Sequence, residues 1–236
     1  MLSPAWSPDA RWLAYVSFEE AKPVIFTQEL STGSRQRIAD FKGINSAPAW
    51  SPDGTRLAMA LSRGGNLEIY IMDMATRNLS RVTNHWSIDT EPAWTPDGQT
   101  IIFTSDRSGK PQLYEIPVAG GEAKRITFEG DENARASIAG DGNMVAMAHV
   151  VDGNYGIGLL NRATGVTTRA ADNTLSESPS FAPNGSMILF ASKRGENGIL
   201  SAVPVISGVT PSGRAGFELV VEDGSIQEPA WSPIRQ

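Results

Sequence analysis

The sequence predicts an all-β fold of repeated four-stranded units, on three observations. A short motif returns about every 44 residues along the whole chain. Four strand signals follow each copy. The connections between them are rich in the residues of tight hairpins, with 23 glycines and 15 prolines in 236 residues.

The motif is clearest at Pro48-Ala49-Trp50-Ser51-Pro52-Asp53-Gly54. Earlier and later copies are Pro4-Ala5-Trp6-Ser7-Pro8-Asp9 and Pro92-Ala93-Trp94-Thr95-Pro96-Asp97-Gly98. A worn copy, Ala136-Ser137-Ile138-Ala139-Gly140-Asp141-Gly142, is followed by Pro179-Ser180-Phe181-Ala182-Pro183-Asn184-Gly185. The last is Pro229-Ala230-Trp231-Ser232-Pro233. The aromatic position advances by 44, 44, 44, 43 and 50 residues.

The second repeat shows how one unit is built. Pro48–Ser51 is a short strand, and Pro52-Asp53-Gly54 turns it back, since Gly supplies a positive φ without strain. Arg56–Ser62 and Leu67–Asp73 are the next two strands, joined by a Gly-Gly turn, and Asn78–Thr83 is a polar outer strand. The other repeats repeat these signals, for example Trp12–Val16, Ile101–Thr104, Met144–Met147 and Met187–Phe190 as second strands. The long Ser207–Gly216 connection accounts for the 50-residue step.

Four antiparallel strands per ~44 residues make a β-propeller blade. Helical repeats would need a 3.6-residue period, and a parallel β-helix shorter coils. We therefore expect one domain over 1–236 with five complete blades, at 4–43, 44–87, 88–131, 132–175 and 176–225. The sixth copy, at 226–233, is expected to be one closing strand. It cannot serve the first blade, which has its own opening strand at Ala5-Trp6-Ser7. The simplest expectation is a truncated six-bladed propeller whose other strands lie upstream of Met1. The repeated Trp belongs between blades, where burying ~150–250 Å² each stabilises the stack. Trp50→Ala is expected to cost ~3–5 kcal/mol.

Bulk properties exclude several classes. A net charge of −6 gives no basic footprint for nucleic acid. No apolar run is long enough for membrane insertion, and no charged-then-apolar leader opens the chain. Without cysteine there are no disulfides, thiolate metal sites or Cys nucleophile. The two histidines, His85 and His149, fall in different repeats. Nucleophile-elbow and phosphate-loop motifs are absent. Asp106-Arg107-Ser108-Gly109 is expected to be a turn held by a local ion pair. Tyr15, Phe26, Tyr70, Phe103 and Tyr114 are expected in the core.

Beyond the shared motif, blade-specific stretches carry a family resemblance. Tyr70-Ile71-Met72-Asp73-Met74, Asp89-Thr90-Glu91-Pro92-Ala93-Trp94, Thr104–Tyr114, Arg125–Gly130 and the terminal Glu228–Pro233 resemble the TolB-type propellers of the Tol-Pal envelope system. The resemblance implies a periplasmic, non-enzymatic protein that binds Pal, the peptidoglycan-associated lipoprotein. It implies roles in outer-membrane integrity and cell division, and a surface that colicins exploit. In the family an α/β domain precedes the propeller and contacts TolA. That domain and most of the family's first blade are absent from this chain. The sequence departs from the pattern at Asp9-Ala10, in the fourth repeat and over 204–217.

The segments entering each opening strand should share one face of the disc. Carrying the Pal-binding face over by resemblance gives Ile44, Asn45, Ala47, Asp89, Thr90, Glu91, Asn133, Arg135, Glu177, Ser178 and Glu228. Small residues such as Ala47 and Thr90 let a partner approach, and carboxylates offer complementarity. The plainer reading is that these polar groups tie loop backbones at strand starts. No cofactor is expected, although Asp89, Glu91, Glu177 and Glu228 leave open a divalent cation at the channel mouth. Two other functions compete: the substrate-gating propeller of a prolyl-oligopeptidase-like serine peptidase, and a glycan-active propeller enzyme.

Overall fold

The computed structural model describes residues 2–171, 177–194, 197–205, 217–221 and 226–233. They form five four-stranded antiparallel sheets and no helix. Blade one holds β1 (Leu2–Trp6), β2 (Trp12–Ser17), β3 (Val24–Glu29) and β4 (Arg35–Ala39). Blade two holds β5 (Asn45–Trp50), β6 (Arg56–Leu61), β7 (Glu68–Asp73) and β8 (Leu79–Arg81). Blade three holds β9 (Asp89–Trp94), β10 (Thr100–Ser105), β11 (Gln112–Pro117) and β12 (Lys124–Arg125). Blade four holds β13 (Glu132–Ile138), β14 (Met144–Val151), β15 (Asn154–Asn161) and β16 (Thr167–Ala171). Blade five holds β17 (Glu177–Phe181), β18 (Met187–Arg194), β19 (Asn197–Pro204) and β20 (Phe217–Val221). In every sheet the strands lie side by side in chain order. The proposed 207–216 connection lies outside the described residues.

The Asp-Gly turns form as their chemistry requires. Asp53 Oδ1 accepts from Ser51 Oγ at 2.5 Å and from Thr55 N at 3.1 Å, while Gly54 takes a φ of 70°. The same hydroxyl-to-carboxylate bond recurs at Ser7–Asp9 and Thr95–Asp97, both 2.6 Å. Ala10 stands where later copies have Gly and still adopts a φ of 54°, at a cost of about 1–2 kcal/mol.

The inner strands begin earlier than the sequence suggests. β5 starts at Asn45, three residues before Pro48, and shifts register between Ser46 and Ala49. Corresponding bulges fall in β1, β9, β13 and β17. The residue at the motif's leading edge takes a left-handed φ in all six copies: Ser3 50°, Ala47 48°, Glu91 53°, Arg135 58°, Ser178 55° and Glu228 49°. A bulge re-aims side chains, so the five bulged positions turn toward the axis, and Glu228 joins them at one cavity.

Two expectations change. The outer strands are shorter than read, only three residues in β8 and two in β12. Residues 226–233, expected to be a strand, carry no strand pairing. A strand needs a ladder partner, and none stands beside them among the described residues. They are anchored by single bonds instead, such as Trp231 N to Ser180 Oγ at 3.2 Å.

The apolar core lies in the seams between blades. One cluster joins Ala14, Val16 and Ile25 of blade one to Leu57, Met59 and Leu61 of blade two, with Trp50 against it. A second joins Ala58, Ala60 and Ile69 to Trp94, Ile101 and Phe103. Others join blades three and four around Leu113 and Met147, and blades four and five around Ile157 and Phe190. The tryptophans Trp50 and Trp94 thus lie between blades, and all five tyrosine and phenylalanine positions named above are buried.

Candidate protein-binding face

Antiparallel order decides which connections share a face. In each blade the second-to-third and outer-to-next-inner connections meet at the end where inner strands begin. We term this the upper face. At its centre, the six leading-edge residues and the prolines after most of them line an axial cavity of about 330 Å³. Thr90 and Ser46 join this lining.

A hydrogen-bonded chain links the cavity residues across blades. Glu91 of blade three accepts from Thr104 Oγ1 at 2.8 Å and pairs with Arg135 Nε of blade four at 3.1 Å. Arg135 Nη1 donates to Ser178 Oγ of blade five at 2.5 Å and to Glu228 Oε1 at 3.1 Å. Glu228 in turn accepts from the backbone N–H and, at 3.3 Å, the hydroxyl of Ser3 in blade one. The arrangement sets one guanidinium between two carboxylates and ties the last motif copy to the first. Among the described residues no apolar cluster does this between blades five and one.

The predicted residues divide by position. Ala47, Thr90, Glu91, Arg135, Ser178 and Glu228 come together in the cavity. Asn45, Asp89 and Asn133, two residues before the leading edge, are fully buried. Asn45 Nδ2 donates to the carbonyls of Phe41 and Pro23 at 2.8 and 3.1 Å. Asp89 receives Arg107 Nη2 at 2.7 and 2.9 Å. Asn133 Nδ2 serves Gln112 Oε1 and Glu129 O, so its Oδ1 is the acceptor for His149 Nδ1 at 2.7 Å. Burial, and secondarily the charge of Arg169, pushes the His149 pKa below its ordinary value, which favours the neutral ring. Ile44 is exposed beyond the rim, and half-buried Glu177 lies in β17 outside the cavity lining.

The ion pair expected inside Asp106–Gly109 is not local. Arg107 reaches back 18 residues to Asp89, while Asp106 Oδ1 accepts from Ile88 N at 2.9 Å. A buried carboxylate needs a cation more than an exposed one does. The four carboxylates at the channel mouth do not form one cluster, because Asp89 is held by Arg107 and Arg135 stands between Glu91 and Glu228. Among the described residues no group of three or more His, Asp or Glu is placed to hold a metal ion.

Several contributors were not singled out from sequence. Ser3 occupies the first leading-edge position, one 44-residue step before Ala47, so the period itself marks it. Trp86 and Phe128, 81% and 72% exposed, stand on the outer-to-inner connections of the upper face. Exposed Phe18, Ile44, Ile88 and Tyr155 belong to the same end of their sheets. No repeat signal marks Trp86 or Phe128. Large exposed apolar groups gathered on one face are a mark of protein contact.

The fold and the bonded axial cavity define a β-propeller whose distinctive chemistry lies at the upper, axial end. The TolB beta propeller domain family (PD40) matches residues 1–235, and the chain belongs to it. It is 57% identical over its whole length to the Tol-Pal system protein TolB of Xanthomonas oryzae pv. oryzae, covering 53% of that protein. The Xanthomonas campestris pv. campestris protein is equally similar. The chain therefore spans about half the length of these curated relatives. The crystal structure of TolB from Acinetobacter baumannii superposes with a TM-score of 0.91 at 46% identity, covering 99% of this chain and 57% of that one. A puromycin-hydrolysing peptidase of Mycobacterium tuberculosis shares the fold alone, at 16% identity and a TM-score of 0.70 over 90% of this chain and 36% of that one. By its membership the chain is a propeller of the TolB type. No helix among the described residues is long and apolar enough to cross a membrane.

Proposed function

We propose that this chain is the partner-binding propeller of a Tol-Pal system, acting in the periplasm, and that its upper face receives Pal. The observation that carries this reading is that exposed Trp86, Phe128, Ile44 and Ile88 belong to the same end of the sheets as a polar axial cavity. Aromatic anchors supply contact area, and the Glu91–Arg135–Glu228 chain supplies fixed donors and acceptors at the centre. Asn45, Asp89 and Asn133 act beneath the surface by holding the presenting segments. Through Pal the chain serves outer-membrane integrity and cell division, and TolA contacts belong to the part of the relatives that this chain does not span. Colicin segments would compete for the same face.

Residues 226–233 fit the inner strand of a sixth blade. They carry the motif, repeat the left-handed φ at Glu228, and place that residue in the axial set.

The test is titration of the soluble domain of Pal into the chain by calorimetry. Thr90→Trp, which fills the cavity mouth, is expected to lower affinity by about 30-fold or more while leaving the melting temperature unchanged. Undiminished affinity in that folded variant would overturn the assignment of the face.

A further inference from the structure

On the opposite, lower face, three elements recur at the first, second and fourth seams between blades, and the third seam keeps all but the aromatic, where Ile138 stands. These are the turn Asp of one blade, and the motif aromatic and turn-glycine carbonyl of the next. In the second seam a guanidinium fills this site. Arg56 lies 4.7 Å over the Trp94 ring, with Nη2 3.4 Å from Gly98 O and 4.0 Å from Asp53 Oδ2. In the third seam a guanidinium arrives from the other side. Arg162 donates to Gly142 O at 2.9 Å and to Glu115 Oε2 at 2.8 Å.

The first seam has neither plug. Stepping back by the repeat, Trp12 stands where Arg56 does and Met74 where Arg162 does. The counterparts of the three receiving elements are Asp9, Trp50 and Gly54, and all three line a cavity of about 340 Å³. Trp12, Met74 and Asp53 also line it, as does Arg77, whose guanidinium is engaged by Gln36 Oε1 at 2.8 Å. Asp9 Oδ1 is occupied by Ser7 Oγ and Arg11 N, and Oδ2 has no hydrogen-bond partner among the described residues. A Cβ built on Gly98 meets Arg56, whereas one on Gly54 meets only Pro8.

We infer that the first seam is a binding site for an arginine side chain of a partner polypeptide. The guest guanidinium stacks on Trp50, donates to Gly54 O and faces Asp9, as Arg56 does one blade on. A planar, weakly hydrated guanidinium suits an indole face and a carbonyl together, where an ammonium does not. The cavity is larger than a guanidinium and accommodates the aliphatic stem beside Met74 and Trp12. The fourth seam is also open, at about 560 Å³, with Met144 and Val205 at the plug positions. It offers Phe181, one Asp and Asn184 in place of Trp and two Asp, and is the weaker site. Because the cavity lies on the lower face, this inference is independent of Pal binding.

The probe is acetyl-arginine amide, titrated into the isotopically labelled chain while the tryptophan indole resonances are followed. The Trp50 and Trp12 signals are expected to shift saturably at millimolar concentration, with Trp94 unmoved. Acetyl-citrulline amide, the neutral isostere, should bind about tenfold more weakly, and Asp9→Asn should weaken the arginine probe severalfold. Trp12→Arg supplies the plug within the chain and should abolish binding while the circular dichroism spectrum stays native. No saturation, equal binding of the citrulline probe, or undiminished binding by folded Trp12→Arg would overturn the inference.

Discussion

The first and second seams are built from the same repeat yet are finished differently. Trp94 is buried, and its Nε1 donates to Ala49 O across the seam at 3.0 Å. Trp50 holds the same place one repeat earlier, but is only half-buried, and its enclosed Nε1 has no hydrogen-bond partner among the described residues. Arg56 covers Trp94, and among the described residues no cation is stacked on Trp50. One seam is sealed by its own side chains, and the other retains the cavity. A repeat therefore fixes where an aromatic sits, while residues outside the motif decide how completely its site is satisfied.

The largest test of this contrast is truncation. Trp94→Ala should cost ~3–5 kcal/mol, from lost burial and a residual cavity. Trp50→Ala should cost at least about 1 kcal/mol less, because it also removes a buried donor that has no partner. Urea denaturation of both variants measures the gap, and equal losses would break the contrast. Replacement by Phe is finer. Trp94→Phe strands the Ala49 carbonyl and should cost about 1–2 kcal/mol, whereas Trp50→Phe removes an unsatisfied N–H and should be close to neutral. A reversed order would mean that the indole N–H of Trp50 is satisfied in solution.

What the sequence discloses follows the same division. The 44-residue period, the Asp-Gly turns and the inter-blade placement of Trp50 and Trp94 are legible because each rests on a local pattern. The Asn45–Ala47 segment was not legible as strand, since its polar residues read as a loop. They extend β5 because Asn45 satisfies the loop carbonyls from inside and Ala47 absorbs a bulge. The depth of Asp89 was hidden for a similar reason. Its partner, Arg107, lies in a stretch that reads as a self-contained turn. Of the candidate face, the axial set was legible by its position before the motif, and Ser3 follows from the same step. Trp86 and Phe128 were not, because exposure is a tertiary property without a period.

Arg56→Met should carry the second seam toward the state of the first. The loss of the stacked guanidinium and its bond to Gly98 O should cost about 1 kcal/mol, read from the same denaturation curves. No loss would show that the plug fills space without stabilising the seam. The variant should also open a second site for acetyl-arginine amide, visible as a new shift at Trp94.

The same variant has a smaller electrostatic consequence. The Ser51 hydroxyl first, then Thr55 N–H and finally the charge of Arg56 hold the Asp53 carboxyl below the usual carboxylate range. Asp9 is held down likewise by Ser7, with Arg11 contributing. Both groups bind fewer protons folded than unfolded. Their contribution to stability is therefore complete at neutral pH and is lost as pH falls below ~4 through the folded values. Removing Arg56 takes away the smallest of the named causes for Asp53 and none for Asp9. In a carboxyl-detected NMR titration, Asp53 should move up slightly in Arg56→Met while remaining below the ordinary range, and Asp9 should not move. A shift of Asp53 to the unperturbed value would show that the neighbouring cation, rather than the hydroxyl in its own turn, sets the charge at this seam.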